Sequence, residues 1–441
     1  MWNILTFMFS YLIPGLVILF ALYLFIKERY LFSISFRNVF RNPRRSLITI
    51  TAIAVGVIAI IVFGGYINSQ FWGLRESTIR SQTGHFQIYK KGFNEFAVKK
   101  PYDYRLVDFK AVTELLQNDP IIGNAFEVIV PEVQFSGLIS TGDNSTGFLG
   151  RGIDPDSDNI ISSFDIMKNG MKLKGNEKGR TVLGAALATT LDAKIGDSLV
   201  LLVQTPTVGL NVLDVDIKGT SESFSTDYDK VLVKINITDA WDLMGEEYAD
   251  KLTILLKKTN ELDFVMKRVD QLIQENGLDI EYKTWKDLAQ YYYSVVSLYE
   301  GIFSFVKWMI CILIIIFISN TLFMSVMERV NETGTLRTIG TTKNLIIKSF
   351  IIESMIMGLM GGILGVFLAW LTGMGINSMN IPMPAPPGVS KELILSIRFD
   401  ENTVPSVIFS LKLSLLTALA GSILPAMKSV KMGIAEALRH Y

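Results

Sequence analysis

Five stretches of the chain are apolar for long enough to cross a bilayer, and one of them is continuous with structure on both sides. Trp308 to Met327 (WMICILIIIFISNTLFMSVM) carries no charge and is bounded by Lys307 and Glu328. At ~1.5 Å per helical residue it spans the ~30 Å hydrocarbon core. Upstream, Leu288, Tyr291, Tyr292, Val295, Leu298, Tyr299 and Ile302 recur at steps of three and four, an apolar helical stripe. No Gly or Pro falls between Thr284 and Glu300. The pattern therefore predicts one helix from Thr284 to Val330, roughly 70 Å long, whose outer part projects beyond the bilayer. That part needs a partner, and the continuation of the second span through Trp72 to Ile79 is expected to supply it. Downstream, ERVNETGTLRTIGTTKNLI is charged and Thr-rich, and another apolar stretch follows. The order is outer domain, rod, inner handle.

The first apolar stretch, Ile4 to Ile26, has its positive charges after it rather than before, which predicts an uncleaved span with its amino end outside. Lys27, Arg29, Arg37, Arg41, Arg44 and Arg45, against Glu28 alone, place the next segment in the cytoplasm. Phe32, Phe36, Val39 and Phe40 share one face of it, as expected of an amphipathic helix on the inner surface. Ser46 to Leu74 is the second span and runs outward. Ser354 to Leu371 is the fourth, carrying Gly358, Gly361, Gly362 and Gly365, small residues that permit close helix packing. The fifth runs from about Val404 to Met427, with Lys412 inside it.

Between the second and third spans, residues 75–300 are too polar to cross. GHFQIYKK alternates like a strand, AVTELLQN is helical, and AFEVIVPEVQFSGLIS is strand-like. TVLGAALATTLDA reads as a helix; SLVLLVQ, NVLDVDIKG, KVLVKIN and KLTILLKK read as strands. ELDFVMKRVDQLIQENG is a helix closed by Gly277. The expected fold class is a multi-pass α-helical membrane protein of five spans with a large α+β extracytoplasmic domain. Its divisions are 1–29 (extra amino-terminal span), 30–74 (interfacial helix and second span), 75–300 (outer domain with stalk) and 301–441 (three spans and the cytoplasmic segment).

Charge sharpens this division. Of 42 basic and 42 acidic residues, residues 76–300 hold 24 and 34, so the outer block is acidic and the membrane flanks are basic. Nucleic acid is excluded as an expected partner, because the basic residues cluster at membrane edges. Cys311 is the single cysteine, and it lies inside a span. There is no G-x-x-x-x-G-K-[ST], GxSxG or HExxH, and His85 and His440 lie far apart in the sequence, so neither ATP binding by this chain nor catalysis is expected. Asp154, Asp156, Asp158, Ile160, Ser162 and Asp165 match the ligand spacing of a calcium loop. Asn159 replaces its turn glycine and Asp165 its closing Glu, so an acidic solvated turn is expected and no metal.

Four stretches together resemble the permease subunits of FtsX-like ABC transporters, the group containing lipoprotein-releasing (Lol-type) and macrolide-exporting (MacB-type) systems. They are FRNVFRNPRRSLITITAIAVGV, TGHFQIYKKGF, MERVNETGTLRTIGTTKNLIIKSFIIES and LPAMKSVKMGIAEALRH, reaching from about Ile34 to the carboxyl end. The third, with its E-x-G-x-L-R-x-x-G core, is the most specific. The resemblance implies an outer domain of the MacB-like periplasmic core type. It also implies a half-transporter in the bacterial inner membrane that pairs with a second permease copy or homologous permease and binds an ABC ATPase dimer. ATP and Mg would then sit on that partner. Glu328, Arg329, Glu332, Gly334, Leu336, Arg337 and Gly340 would form the segment coupling to the ATPase, and closure would be relayed along the stalk by mechanotransmission. The cargo expected is a lipoprotein, lipid or other amphiphile, entering between spans two and three at a cavity lined by Val55, Ile58, Phe63, Ile302, Phe305 and Ile312. Two alternatives are a non-transporting regulator of an outer enzyme, and efflux of a drug, peptide or toxin. The first span is extra to the family's plan. Thr205–Asn211, in the place of the carrier-capturing hook of Lol-type permeases, is short.

Overall fold

The computed structural model describes residues 28–41, 43–97, 103–175, 177–205, 209–223, 226–328, 330–383, 393–399 and 403–431. The expected first span lies outside these residues. The helices used below are, in chain order, α1 (Arg29–Arg41), α2 (Pro43–Thr78), α3 (Phe109–Gln117), α4 (Pro155–Ile161), α5 (Ala185–Leu191), α6 (Ile237–Met244), α7 (Leu262–Asn276), α8 (Trp285–Leu288), α9 (Gln290–Glu328), α10 (Val330–Thr338), α11 (Lys343–Ser378) and α12 (Thr403–Lys431). The strands are β1 (Phe86–Lys90), β2 (Phe126–Ser140), β3 (Ser145–Ile153), β4 (Ile166–Gly170), β5 (Arg180–Gly184), β6 (Ser198–Thr205), β7 (Gly209–Glu222), β8 (Leu232–Asn236), β9 (Lys251–Leu256) and β10 (Ile280–Thr284). The chain divides into two compact units, one made of Met1–Phe71, Val296–Ile381 and Ile394–Tyr441, the other of Trp72–Val295 and Pro382–Leu393.

Four helices among the described residues are long and apolar enough to cross a membrane: Pro43–Ser81, Tyr292–Met327, Lys343–Ser378 and Thr403–Lys428. They answer to the second through fifth of the five spans expected, so the described residues hold four where the whole chain was read as holding five. The glycines of α11 divide between two neighbours. A Cβ on Gly365 would stand 2.7 Å from Val57 Cβ, and one on Gly361 would stand 2.8 Å from Ile53 Cβ, both on α2. Gly358 and Gly362 turn instead to Ala418 and Ser414 of α12. With no hydrophobic driving force between helices in lipid, such close backbone approach is what holds them together. Helix α9 packs on α2 through Ile314 against Gly56 and Phe303 against Phe63, their ring centroids 5.3 Å apart. α1 lies on α11: Leu31, Ser35 and Val39 are buried at a spacing of four, Ser35 Oγ donates to the Ser349 carbonyl at 3.1 Å, and Lys348 pairs with Glu28 at 2.7 Å.

The second unit is a mixed sheet of ten strands ordered β10-β1-β9-β2-β3-β8-β5-β7-β4, with β6 pairing β2 and β7. Two apolar clusters fill it. One gathers Phe86, Ile88, Val130, Ile254 and Leu255 with Val112 of α3 and Val265 of α7. The other gathers Val133, Leu201, Ile217, Val233 and Ile235 with Leu187 of α5 and Leu243 of α6. The long strand β2 runs through both, so it ties them into one sheet. TVLGAALATTLDA is not one helix: Arg180–Gly184 is strand β5, paired with β7 and β8, and the helix begins at Ala185. The short run Thr181-Val182-Leu183, buried between two strands, gains more from ladder bonds and burial than from joining the Ala-rich helix.

Candidate coupling site

The inner end of α9 closes at Glu328 and, past Arg329 (outside the described residues), α10 carries the rest of the segment. Glu332 accepts a bidentate pair of hydrogen bonds from Arg41 of α1, an ion pair open to solvent on both sides. Gly334 is buried beside Thr333, while α10 packs on α12. Leu336 is 49% exposed and Ile339, just past the helix, is 79% exposed, so two aliphatic side chains stand free at the tip with Arg337 between them. Gly340 ends the turn with φ +103°, its N–H donating to the Arg337 carbonyl at 3.2 Å while Thr341 N–H donates to the Leu336 carbonyl at 3.0 Å. That left-handed cap explains the glycine of the motif, since open space surrounds its Cα and only φ requires it. Ile339 and Arg41 were not among the residues expected here. Ile339 was readable as an unpartnered aliphatic beside a glycine cap; Arg41 lies 291 residues from Glu332, and nothing local signals the pairing.

Past α2 the chain enters the sheet, and it leaves the sheet shortly before α9. α2 runs into a π turn, Ile79–Thr83, and stops at Gly84 (φ +61°), where β1 begins. The first residue of β1 is opposite the last of β10, Phe86 against Thr284. Thr284 and Asp287 form a capping box that starts α8, and Trp285 N–H donates to the His85 carbonyl at 3.0 Å. Trp285 is buried beneath Tyr292 and Tyr293, at 5.3 and 6.4 Å between centroids. Ala289, at φ −91° and ψ 53°, then interrupts the helix. The rod is accordingly not continuous from Thr284 as the sequence suggested: it begins at Gln290, and its 39 residues measure about 58 Å. Its outer stripe is also split. Tyr299 meets Phe71 edge-on at 6.3 Å, whereas Leu298 and Ile302 face outward. His85 is held from both sides, its Nδ1 accepting from Leu256 N–H at 3.0 Å and its Nε2 sharing a hydrogen with Thr259 Oγ1. Burial, then the nearby Arg80 and Arg75, push the imidazole down to about 4, so it is neutral at pH 7.

The acidic run after β3 is neither a calcium loop nor a solvated turn. Asp154 caps α4 through Ser157 N–H at 3.2 Å. Asp158 and Asp165 are buried, and both hold Lys234 Nζ at 3.1 Å, with Ser162 Oγ a third acceptor at 3.0 Å. The network continues through Arg151, 3.5 Å from Asp158 and 2.8 Å from Glu132, to Lys251 on β9. Burial alone would raise the Glu132 carboxyl, yet Arg151 and Lys251 hold it down at about 2. No group of three or more metal-ligating side chains occurs among the described residues. The network joins β2, β3, β8, β9 and α4 where the two apolar clusters adjoin.

The six residues expected to line a cargo cavity are dispersed. Ile58 packs in the helical core and Phe63 on Phe303, whereas Val55, Ile302, Phe305 and Ile312 are exposed on α2 and α9. α2 and α9 are in direct contact at Gly56 and at Phe63. An apolar cavity of about 480 Å³ lies elsewhere, among Ile61, Ile363, Val366, Phe367, Trp370, Phe399, Val407 and Leu411.

A mixed-sheet domain lies in the chain between two candidate membrane helices, and the chain belongs to the ABC transporter permeases of the MacB/LolE/FtsX type. The MacB-like periplasmic core domain matches residues 46–272 and the FtsX-like permease carboxyl-terminal domain matches 304–434. An uncharacterized ABC transporter permease of Methanocaldococcus jannaschii is 22% identical over 92% of this chain and 96% of its own length. The lipoprotein-releasing system transmembrane protein LolE of Haemophilus influenzae is 21% identical over 74% of this chain and 79% of its own. The macrolide export ATP-binding/permease protein MacB of Chlorobium luteolum is 22% identical over 92% of this chain, which spans only 59% of that protein. The chain is thus a membrane-embedded permease with an extracytoplasmic domain.

Proposed function

We propose that this permease couples ATP turnover on a separate ATPase to the extraction or export of a lipoprotein or similar amphiphile from the outer leaflet of a bacterial inner membrane. The observation that carries the reading is α9. One unbroken helix of about 58 Å runs from Gln290, just past the break at Ala289, to Glu328 at the start of the coupling segment, and it is about twice the ~30 Å core. Leu336, Arg337 and Ile339 give an ATPase groove two aliphatic contacts and a guanidinium. Glu328, Arg329 and Glu332 precede them in the sequence, and ATP with Mg belongs to the partner. Dimerisation with a second permease supplies the other half of the symmetric assembly. Lipoprotein as cargo is favoured by the likeness to LolE, which extends over most of that chain; the likeness to MacB favours export of a drug-like compound as the second reading.

The test uses the full chain in nanodiscs with the ATPase that co-purifies from native membranes. Leu336→Ala with Ile339→Ala is expected to weaken ATPase capture tenfold or more, since burying each aliphatic contributes about 1.5–3 kcal/mol. Arg337→Ala is expected to uncouple turnover from cargo release. An exposed ion pair contributes only about 0–1 kcal/mol, so a severe defect would reflect docking rather than fold. Wild-type capture and coupling in all three would remove the segment from the mechanism. Mass spectrometry of lipids and proteins bound to the complex separates the two cargo readings.

A further inference from the structure

We infer that the outward face of α1 is a binding surface for anionic phospholipid headgroups of the inner leaflet. The helix has two faces with different tasks. Leu31, Ser35 and Val39 are buried on α11, and Ser35 and Glu28 are bonded to Ser349 and Lys348, so the helix cannot roll. The opposite face presents Tyr30 at 74% exposure, Phe36 at 45% and Phe40 at 55%, the two Phe rings 5.1 Å apart. Four exposed guanidinium groups accompany them, from Arg29, Arg37, Arg41 and, at the start of α2, Arg44. Glu28 is the single carboxylate of residues 28–45, and Lys348 already neutralises it. Arg41 is held by Glu332, which leaves Arg29, Arg37 and Arg44 facing solvent without an acidic partner among the described residues.

Aromatic rings that wedge at the acyl boundary, ringed by guanidinium groups, are complementary to an acidic lipid surface and to little else of low dielectric. The depth is right as well. The uncharged part of α2 begins directly after Arg45, so α1 and its arginines stand where the hydrocarbon ends. Because Arg41 belongs to the same face and pairs with Glu332, the lipid-facing helix and the coupling segment are one ion pair apart. This inference needs only that α2 crosses the bilayer, and it stands apart from the choice of cargo.

The test places a bimane on Ser33→Cys, an exposed position of this face, in a Cys311→Ala background, using the full chain in nanodiscs. Quenching by doxyl-labelled phosphatidylglycerol and by doxyl-labelled phosphatidylcholine is compared at equal mole fraction. We expect quenching by the anionic lipid to be stronger by well over tenfold, since three unpaired guanidinium groups contribute. Each guanidinium near the surface is worth about fivefold in preference, so Arg37→Gln should lower the ratio about fivefold, and Arg29→Gln, Arg37→Gln and Arg44→Gln together should bring it near one. Equal quenching by the two lipids in the parent overturns the assignment and leaves the face to an acidic protein partner. An anionic preference that survives all three substitutions also overturns it.

Discussion

The buried network around Lys234 is the strongest internal test of the outer domain. Replacing Lys234 by Met keeps the volume and removes the ammonium that Asp158, Asp165 and Ser162 share at 3.0–3.1 Å. Arg151 remains 3.5 Å from Asp158, so the burden falls mainly on Asp165. Breaking a buried pair while leaving one charge behind costs about 3–5 kcal/mol, a large share of a domain stability of roughly 5–15 kcal/mol. Hydrogen exchange of the amides in β8, with the full chain in nanodiscs, reads that loss locally. At about 1.4 kcal/mol per decade, exchange should accelerate by about two to three and a half decades if it proceeds through opening of this sheet. The pH dependence gives a second, signed readout. In the variant the ammonium that favours ionised Asp158 is gone, so its stabilisation is missing at pH 7 and the deficit against the parent shrinks as pH falls below the unfolded ~3.9. In the parent, Lys234 and Arg151 overcome the burial of Asp158 and hold its carboxyl down, so acid removes stability. Acceleration of less than tenfold, or a deficit that deepens on acidification, would refute the account of the network as paired charge.

Gly365→Ala should force α11 away from α2, because its new Cβ would meet Val57 Cβ at 2.7 Å and the Ala54 carbonyl at 2.9 Å; we expect a loss of about 1–3 kcal/mol in a reversible SDS-unfolding titration, with Gly375→Ala, which meets nothing, as the silent control. His85 binds protons less readily folded than unfolded, so its contribution is complete above pH ~6.5 and is lost as pH falls towards ~4, by at most about 3 kcal/mol; a His85→Gln variant should lack that part of the acid sensitivity in the same denaturation measurement.

Period and composition carried the reading a long way where one physical term dominates. Long uncharged runs read as spans, and the short runs SLVLLVQ and KVLVKIN, rich in Val and Leu, read as strands and are β6 and β8. The glycines of α11 announced close packing, although their spacing did not say which two helices they would meet. The reading failed where distant residues decide a local outcome. The break at Ala289 follows from Trp285 being sealed under Tyr292 and Tyr293 and bonded to His85; the Thr284-x-x-Asp287 box was visible, but what stops α8 after one turn was not. Asp158 and Asp165 looked solvated because Lys234, their partner, arrives on a strand about 70 residues away. The segment Glu328–Gly340 was recognisable as a motif, yet its exposed tip at Ile339 and its tie to Arg41 required the fold.

The register of Phe86 against Thr284 ties the chain's entry into the outer domain to its exit from it. The chain reaches β1 through the π turn of Ile79–Thr83 and leaves β10 through α8, and between them runs a ladder pairing Phe86 through Lys90 with Ile280 through Thr284. Sliding the entering segment along the leaving one would have to shift that ladder, and a one-residue slip of ~3.3 Å turns every side chain of a strand to the opposite face. Ile88, wholly buried, would then exchange places with a neighbour built for the other side. Entry and exit of the outer domain are thus clasped in fixed register, and a displacement of one carries the other with it.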